Sequence, residues 1–316
     1  MAGLRPTGSD GCDRAQLLLV GAFALAVLVV ALALVTNGAA QTETLATDRT
    51  DAGDLRDAVR FRDDVRRGLG GIVDTVNRNG DDDYGALRDD LNASVEEWER
   101  LAARGSAGDG VGVSVELTND PLTSDERGSR ISQTPEREFT DSNGTANWRL
   151  ASSVDRTRAF EVNVSRANLS SGCGGCFTVV AENGTATWRA QFTRGPSEIQ
   201  VAVDGPTGAE TCTIPADSTV VDLSAGTVPD RSCSFPAFAE GLGGPYNITY
   251  QNGDAGTGTY ALVIDTDEPL VDDSPYAATG PSLSRAIYSA DVTVRYRTPS
   301  LTYTTTVRVT PGDGDA

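Results

Sequence analysis

Nineteen consecutive residues, Leu17 to Val35, read LLLVGAFALAVLVVALALV without a single charge. As a helix rising 1.5 Å per residue, such a run is about 28 Å long and matches the hydrocarbon thickness of a bilayer. The apolar core of a secretory signal is shorter, about 7–15 residues. The run therefore predicts a transmembrane helix over 16–36, a leader over 1–15, and the remaining chain on the far side of the membrane. Arg5 and Arg14 precede the run, and no Arg follows it through Gln41. Orientation follows the basic residues, so the leader is expected in the cytoplasm and the C-terminal part outside the cell. The lipid bilayer is the first expected partner.

Beyond the span, residues 37–104 read as a helical stalk or hairpin. Leu55, Val59, Val65, Leu69, Ile72, Val73 and Val76 fall mostly at helical spacing. A break at Asn79-Gly80-Asp81-Asp82-Asp83 precedes a second stripe of Tyr84, Leu87, Leu91, Val95, Trp98 and Leu101. Steps of three and four place such residues on one face of a helix. The acidic run lacks the Gly and final Glu spacing of a calcium loop, so it reads as a solvated turn.

From residue 105 to 316 the texture is β, and the expected fold class is an all-β antiparallel sandwich of about ten strands. Val111, Val113, Val115 and Leu117 alternate with small or polar residues. Tyr288 to Tyr296 and Leu301 to Val309 also alternate, with Thr298-Pro299-Ser300 between them. This pattern predicts a long hairpin. Asn-Gly pairs at 143–144, 183–184 and 252–253 suggest type I′ hairpin turns. The first two head a shared Asn-Gly-Thr-Ala-x-Trp-Arg, which predicts that Trp148 and Trp188 sit alike on two similar hairpins.

Charge narrows both habitat and function. The net charge is -19, from 45 acidic against 26 basic residues, and no basic patch is available to displace phosphate counterions. Nucleic acid is therefore not an expected partner. All 26 basic residues are Arg, and 31 of the 45 acids are Asp. An acid excess without Lys resembles the proteins of halophiles, especially haloarchaea. In molar salt the Debye length falls to about 3 Å, so self-repulsion costs little. There is no His, which removes Ser-His-Asp and Cys-His catalysis and any His-ligated metal. No Gly-x-Ser-x-Gly elbow and no phosphate-binding loop is present, so neither an enzyme nor a cofactor is expected.

Four of the five cysteines, Cys173, Cys176, Cys212 and Cys233, follow the span, whereas Cys12 precedes it. Outside the cell they are expected as structural disulfides, with three pairings open. Cys212 with Cys233 closes a loop of about 20 residues, and Cys173-Gly174-Gly175-Cys176 is able to close locally. A redox pair and a four-cysteine zinc site are the alternatives. The first wants a helix N-terminus, where Phe177 to Val180 reads as strand; the second wants another closely spaced pair. Six glycosylation sequons, at Asn92, Asn143, Asn163, Asn168, Asn183 and Asn247, all lie beyond the span.

The junction Asp13-Arg14-Ala15-Gln16-Leu17 sets a polar leader, a basic residue, a small residue and Gln directly before the apolar run. It resembles the class III leader of archaeal prepilins. That resemblance implies cleavage between Ala15 and Gln16 by a prepilin peptidase, with Arg14, Ala15 and Gln16 as the processing residues. It further implies that the apolar helix stays on the mature protein and packs with copies of itself or with other pilin-like subunits. Val20 stands at the fifth mature position, where many pilins carry Glu. The whole layout resembles haloarchaeal single-pass surface proteins with a prepilin-like N-terminus and an uncharacterised ectodomain. A structural or adhesive surface protein is the function this implies; the alternative is a non-polymerising anchored binding or accessory module of the envelope.

Overall fold

The computed structural model describes residues 53–80, 82–118, 122–266, 275–278 and 280–313. The apolar run and Arg14, Ala15 and Gln16 lie outside them. Among the described residues, no helix is long and apolar enough to cross a membrane. The described residues are mostly antiparallel β, with two helices before the sheets.

Helix α1 covers residues 53–79 and α2 covers Tyr84–Ala107. The acidic break between them is a cap. The Asp83 carboxylate accepts the backbone N–H groups of Gly85 and Ala86, two of the donors a helix start leaves unsatisfied. Asp82 Oδ1 accepts the N–H of Arg285 at 2.6 Å. Among the described residues, no group of three or more acidic or cysteine side chains is arranged to hold a metal ion.

Strands β1 (Gly112–Leu117), β2 (Arg127–Glu138), β3 (Trp148–Val154), β4 (Thr157–Ser165) and β5 (Phe177–Glu182) follow. Next come β6 (Thr187–Arg194), β7 (Ile199–Gly205), β8 (Gly208–Ile214) and β9 (Ser218–Asp222). The last are β10 (Tyr246–Gln251), β11 (Thr257–Ile264), β12 (Ser282–Ile287), β13 (Ala290–Arg297) and β14 (Thr302–Val309). They form a six-stranded sheet in the order β3-β10-β5-β6-β7-β8, a five-stranded sheet β12-β2-β11-β4-β9 and a three-stranded sheet β1-β13-β14.

The two larger sheets share one core. Phe160, Val162 and Val164 of β4 and Tyr260, Leu262 and Ile264 of β11 meet Phe177 and Val179 of β5 and Trp188 and Phe192 of β6. On β4 and β6 the intervening residues are exposed or half-buried, the period-two pattern of a strand covered on one side, whereas Thr178 and Val180 of β5 are buried as well. Phe139, just after β2, is at the centre. It stacks on Phe177 with ring centroids 4.1 Å apart and meets Tyr250 edge-on at 6.0 Å. Gly253, Gly256 and Gly258 form the wall of its slot; a Cβ on Gly258 would run into the Asn163 carbonyl and the Phe139 ring.

The three-stranded sheet has a different partner. Val292 and Val294 of β13, Val307 and Val309 of β14 and Val115 of β1 pack with Val65, Leu69, Val73 and Val76 of α1 and Leu87, Leu91 and Val95 of α2. The expected stalk is therefore a helical hairpin whose apolar stripe is covered by strands. The expected C-terminal hairpin exists as β13–β14, in register from Ala290↔Val309 to Arg297↔Thr302. It pairs with β1 and sits outside the two larger sheets, which hold eleven strands between them. Buried polar bonds fasten the two parts. Asn77 Nδ2 donates to the Ile287 carbonyl at 2.9 Å, and its Oδ1 accepts the Ile287 N–H at 2.8 Å. The Tyr84 hydroxyl donates to the Gly128 carbonyl at 2.7 Å.

The Asn-Gly expectation divides. Asn183-Gly184 closes the β5–β6 hairpin, with Glu182 opposite Thr187. Asn143-Gly144 does not close a hairpin: it lies between β2 and β3, which belong to different sheets. Asp141 Oδ1 accepts the N–H groups of Asn143 and Thr145 and holds the corner. Asn252-Gly253 is a second such corner, between β10 and β11, with Asn252 in the left-handed region at φ 52°. Trp148 and Trp188 nevertheless lie in the same sheet and core, each donating its indole N–H to a carbonyl, of Phe139 and Pro236 respectively.

Tyr250 and Tyr260 are buried in this core, and their hydroxyls meet no hydrogen-bond partner among the described residues. Burial pushes both phenols well above their ordinary value of 10, more than neighbouring charges do. A phenol raised in the folded state contributes stability that is intact below the unfolded value and is lost as pH climbs past it. Unfolding free energy is expected to hold up to about pH 9 and then to fall by up to about 1.4 kcal/mol per pH unit for each buried tyrosine. Denaturant titrations from pH 8 to 12 check this. A loss much smaller in Tyr250→Phe/Tyr260→Phe confirms the assignment, and an identical loss refutes it.

Candidate functional site

The outer face of the five-stranded sheet carries a cleft of about 510 Å³. Its floor is made of outward positions on neighbouring strands: Arg130 of β2, Glu161 and Asn163 of β4, Thr259 and Ala261 of β11. The register explains the gathering. Asn163 lies opposite Thr259 and Glu161 opposite Ala261, so alternation turns both pairs away from the core together. The last turns of α1, with Asp74, Asn77 and Arg78, make one wall. Residues Thr310 to Asp313, after β14, make another.

The walls are tied by their own carboxylates. Asp74 Oδ2 accepts the Gly312 N–H at 3.0 Å, which joins helix to C-terminal segment. Asp313 Oδ2 accepts the N–H and hydroxyl of Thr310, both at 2.8 Å. Asp222 Oδ1 accepts the Ser224 hydroxyl and the Ala225 N–H. Arg158 lies over the Tyr288 ring and donates to its hydroxyl at 3.2 Å. Arg130 donates to the Ser132 hydroxyl at 2.7 Å and forms no ion pair among the described residues. Burial and then the nearby Arg78 charge lower its pKa, with Asp74 opposing. The expected sequence signals do not point here. Every cleft arginine is one among 26, and the strands that assemble them are far apart in the chain.

The expected cysteines fall into two kinds. Cys212 on β8 is bonded to Cys233, with Cα atoms 6.0 Å apart. Cys173 and Cys176 are unbonded, with their sulfurs 2.8 Å apart in the Gly174-Gly175 turn that leads into β5. The local disulfide expected for them is thus a juxtaposed thiol pair here, exposed at Cys173 and buried at Cys176. Burial, then the Cys176 hydrogen bond, pushes the Cys173 thiol up to about 11. A thiol so raised is protonated near neutrality, which is the opposite of a redox nucleophile.

The sequons differ in access. Asn143, Asn163 and Asn168 are exposed, and Asn92, Asn183 and Asn247 are half-buried. Asn163 opens into the cleft. Asn183 uses its amide N–H groups on the Leu242 and Gly243 carbonyls, and Asn92 uses its own on Glu96. No curated protein and no solved structure matches the chain. Residues 11–147 match a family of unknown function (DUF7261), a stretch that includes the apolar run and both helices and ends at the corner before β3.

Proposed function

We propose that the protein is a membrane-anchored, pilin-like cell-surface protein of a halophilic archaeon, with a structural or adhesive role and no enzymatic step. The observation that carries this reading is the uncharged run Leu17–Val35, set directly behind Arg14-Ala15-Gln16 with arginine only on its N-terminal side. The match to a family of unknown function starts at residue 11 and takes in the apolar run together with the helical hairpin and β1, so run and folded part fall within one family pattern. The Cys212–Cys233 bond agrees with an oxidising exterior. In this reading residues 105–316 form the ectodomain, dominated by the β-sandwich, and the helical hairpin sits between it and the bilayer.

A second reading, an anchored binding module that does not polymerise, is favoured by the cleft on the outer sheet face. The deciding measurement is the N-terminus of the membrane-fraction protein, by mass spectrometry, with and without the prepilin peptidase. A start at Gln16 that depends on the peptidase is expected, with the protein recovered in surface filaments. An intact leader in both strains overturns the pilin-like assignment. Correct processing without filaments moves the protein to the second reading.

A further inference from the structure

We propose that the cleft between α1 and the five-stranded sheet binds a small hydroxylated carboxylate of sugar-acid size, its carboxylate taken by Arg130 and Arg78 and its hydroxyls by Thr259, Asn163 and Glu161. The inference stands on the cleft and is independent of how the N-terminus is processed.

Charge is the first argument. In a chain of net charge -19, three guanidinium groups line one concavity, and none forms an ion pair with a described residue; Arg158 is engaged with Tyr288, which leaves Arg78 and Arg130. Arg130 is half-buried, and its guanidinium has the Ser132 hydroxyl as its one hydrogen-bonded partner among the described residues; Arg78 has a long contact of 3.5 Å to Thr75. A partly desolvated guanidinium without a carboxylate has most of its donors to offer, in a fork that fits an oxyanion. Three of the four acids in the lining are hydrogen-bonded within the walls: Asp74 holds Gly312, Asp313 holds Thr310, and Asp222 holds Ser224 and Ala225.

Those same acids set the ligand's charge. Asp74, Glu161, Asp222 and Asp313 surround the cleft, so a dianion such as phosphate meets repulsion that a monoanion largely escapes. The rest of the lining sets its shape. Thr134, Thr157, Thr259, Asn163 and Glu161 offer hydroxyl, amide and carboxylate groups. The one aromatic in the lining, Tyr260, is 4% exposed and presents no ring face for stacking. A flat aromatic ligand is therefore disfavoured, whereas a polyhydroxy ligand finds partners. The volume of about 510 Å³ lies in the range of small-molecule sites.

The test uses the full chain in detergent, titrated calorimetrically with galacturonate, and with galactose and sulfate at equal ionic strength. Saturable galacturonate binding is expected, with galactose and sulfate each weaker by about tenfold or more, the scale of one lost charge-assisted contact. Arg130→Gln is expected to weaken galacturonate by about tenfold while its melting temperature stays near that of the parent. If Arg130→Gln does not fold, Arg78→Gln, on an exposed helix position, is expected to weaken binding by about threefold or more. No saturable galacturonate binding overturns the proposal. So does galactose or sulfate binding as tightly, or undiminished galacturonate binding in a folded variant.

Discussion

Phe139→Ala is expected to destabilise the protein by about 3–5 kcal/mol, the usual range for emptying a buried phenylalanine site. The ring is fully buried and stacked on Phe177, with Tyr250 and Tyr260 at its edges. Little can relax to fill the void from one side, because glycines 253, 256 and 258 supply no side chains to lean inward. The ring also seats a backbone that ties two corners together: the Phe139 carbonyl accepts the Trp148 indole N–H at 3.0 Å, and its N–H donates to the Gly253 carbonyl at 2.9 Å, where the chain changes sheets. Urea denaturation is the measurement, with a lower midpoint and an unchanged slope expected. Leu101→Ala is the control: Leu101 is 56% exposed, and its replacement is expected to stay within about 0.5 kcal/mol. Equal effects at the two positions would refute the proposed centre of the core.

Loss of the Cys212–Cys233 bond is the second large effect expected. The two residues are 21 apart, and a loop of that length is worth about 3 kcal/mol in the chain-entropy model. The bond matters because of where it sits. Cys212 is buried on β8, which closes one end of the six-stranded sheet and pairs only with β7. Cys233 lies in the long connection from β9 to β10, whose Phe235 and Leu242 enter the core while much of the rest is exposed. Cutting the link releases an edge strand and a long loop together. Cys212→Ser/Cys233→Ser is expected to unfold at lower denaturant and to lose its sensitivity to reductant. A variant as stable as the parent under oxidising conditions would show that the loop is held by its apolar residues alone.

The sequence disclosed what periodicity is able to disclose. Val65 to Val76 and Tyr84 to Val95 are buried where their spacing puts them, and the β13–β14 hairpin pairs along its alternating residues. Leu55 and Leu101, at the ends of the same helical patterns, are exposed, because spacing fixes a face and not how far along the helix the cover extends. It also leaves open which surface provides that cover. The strands of the three-stranded sheet alternate as clearly as those of the larger sheets, and only pairing with β1 takes β13 and β14 to the helices. Asn-Gly signals a reversal but not whether both arms stay in one sheet; the Asp141 side chain and the crossing to β3 make the difference at 143–144. Cys212 and Cys233 were legible as a closable loop. The cleft was not, since Arg78, Arg130, Glu161 and Thr259 come from four elements and meet only through the register of β2, β11 and β4.

The pairing of β1 with β13 has a temporal consequence. Gly112 lies opposite Arg297 and Leu117 opposite Val292, so the two larger sheets are an insertion between the first strand of the small layer and its last two. As a chain is made from its N-terminus, the helices and β1 emerge early, but most of the surface that covers the helices arrives only with the final hairpin. The inserted part has all its strands before then and is able to condense first; once folded, it brings Ile287 near Asn77 and shortens the search that remains. A chain stopped short of β13 would display the apolar faces of α1 and α2 uncovered, a natural mark by which quality control could tell incomplete copies from finished ones.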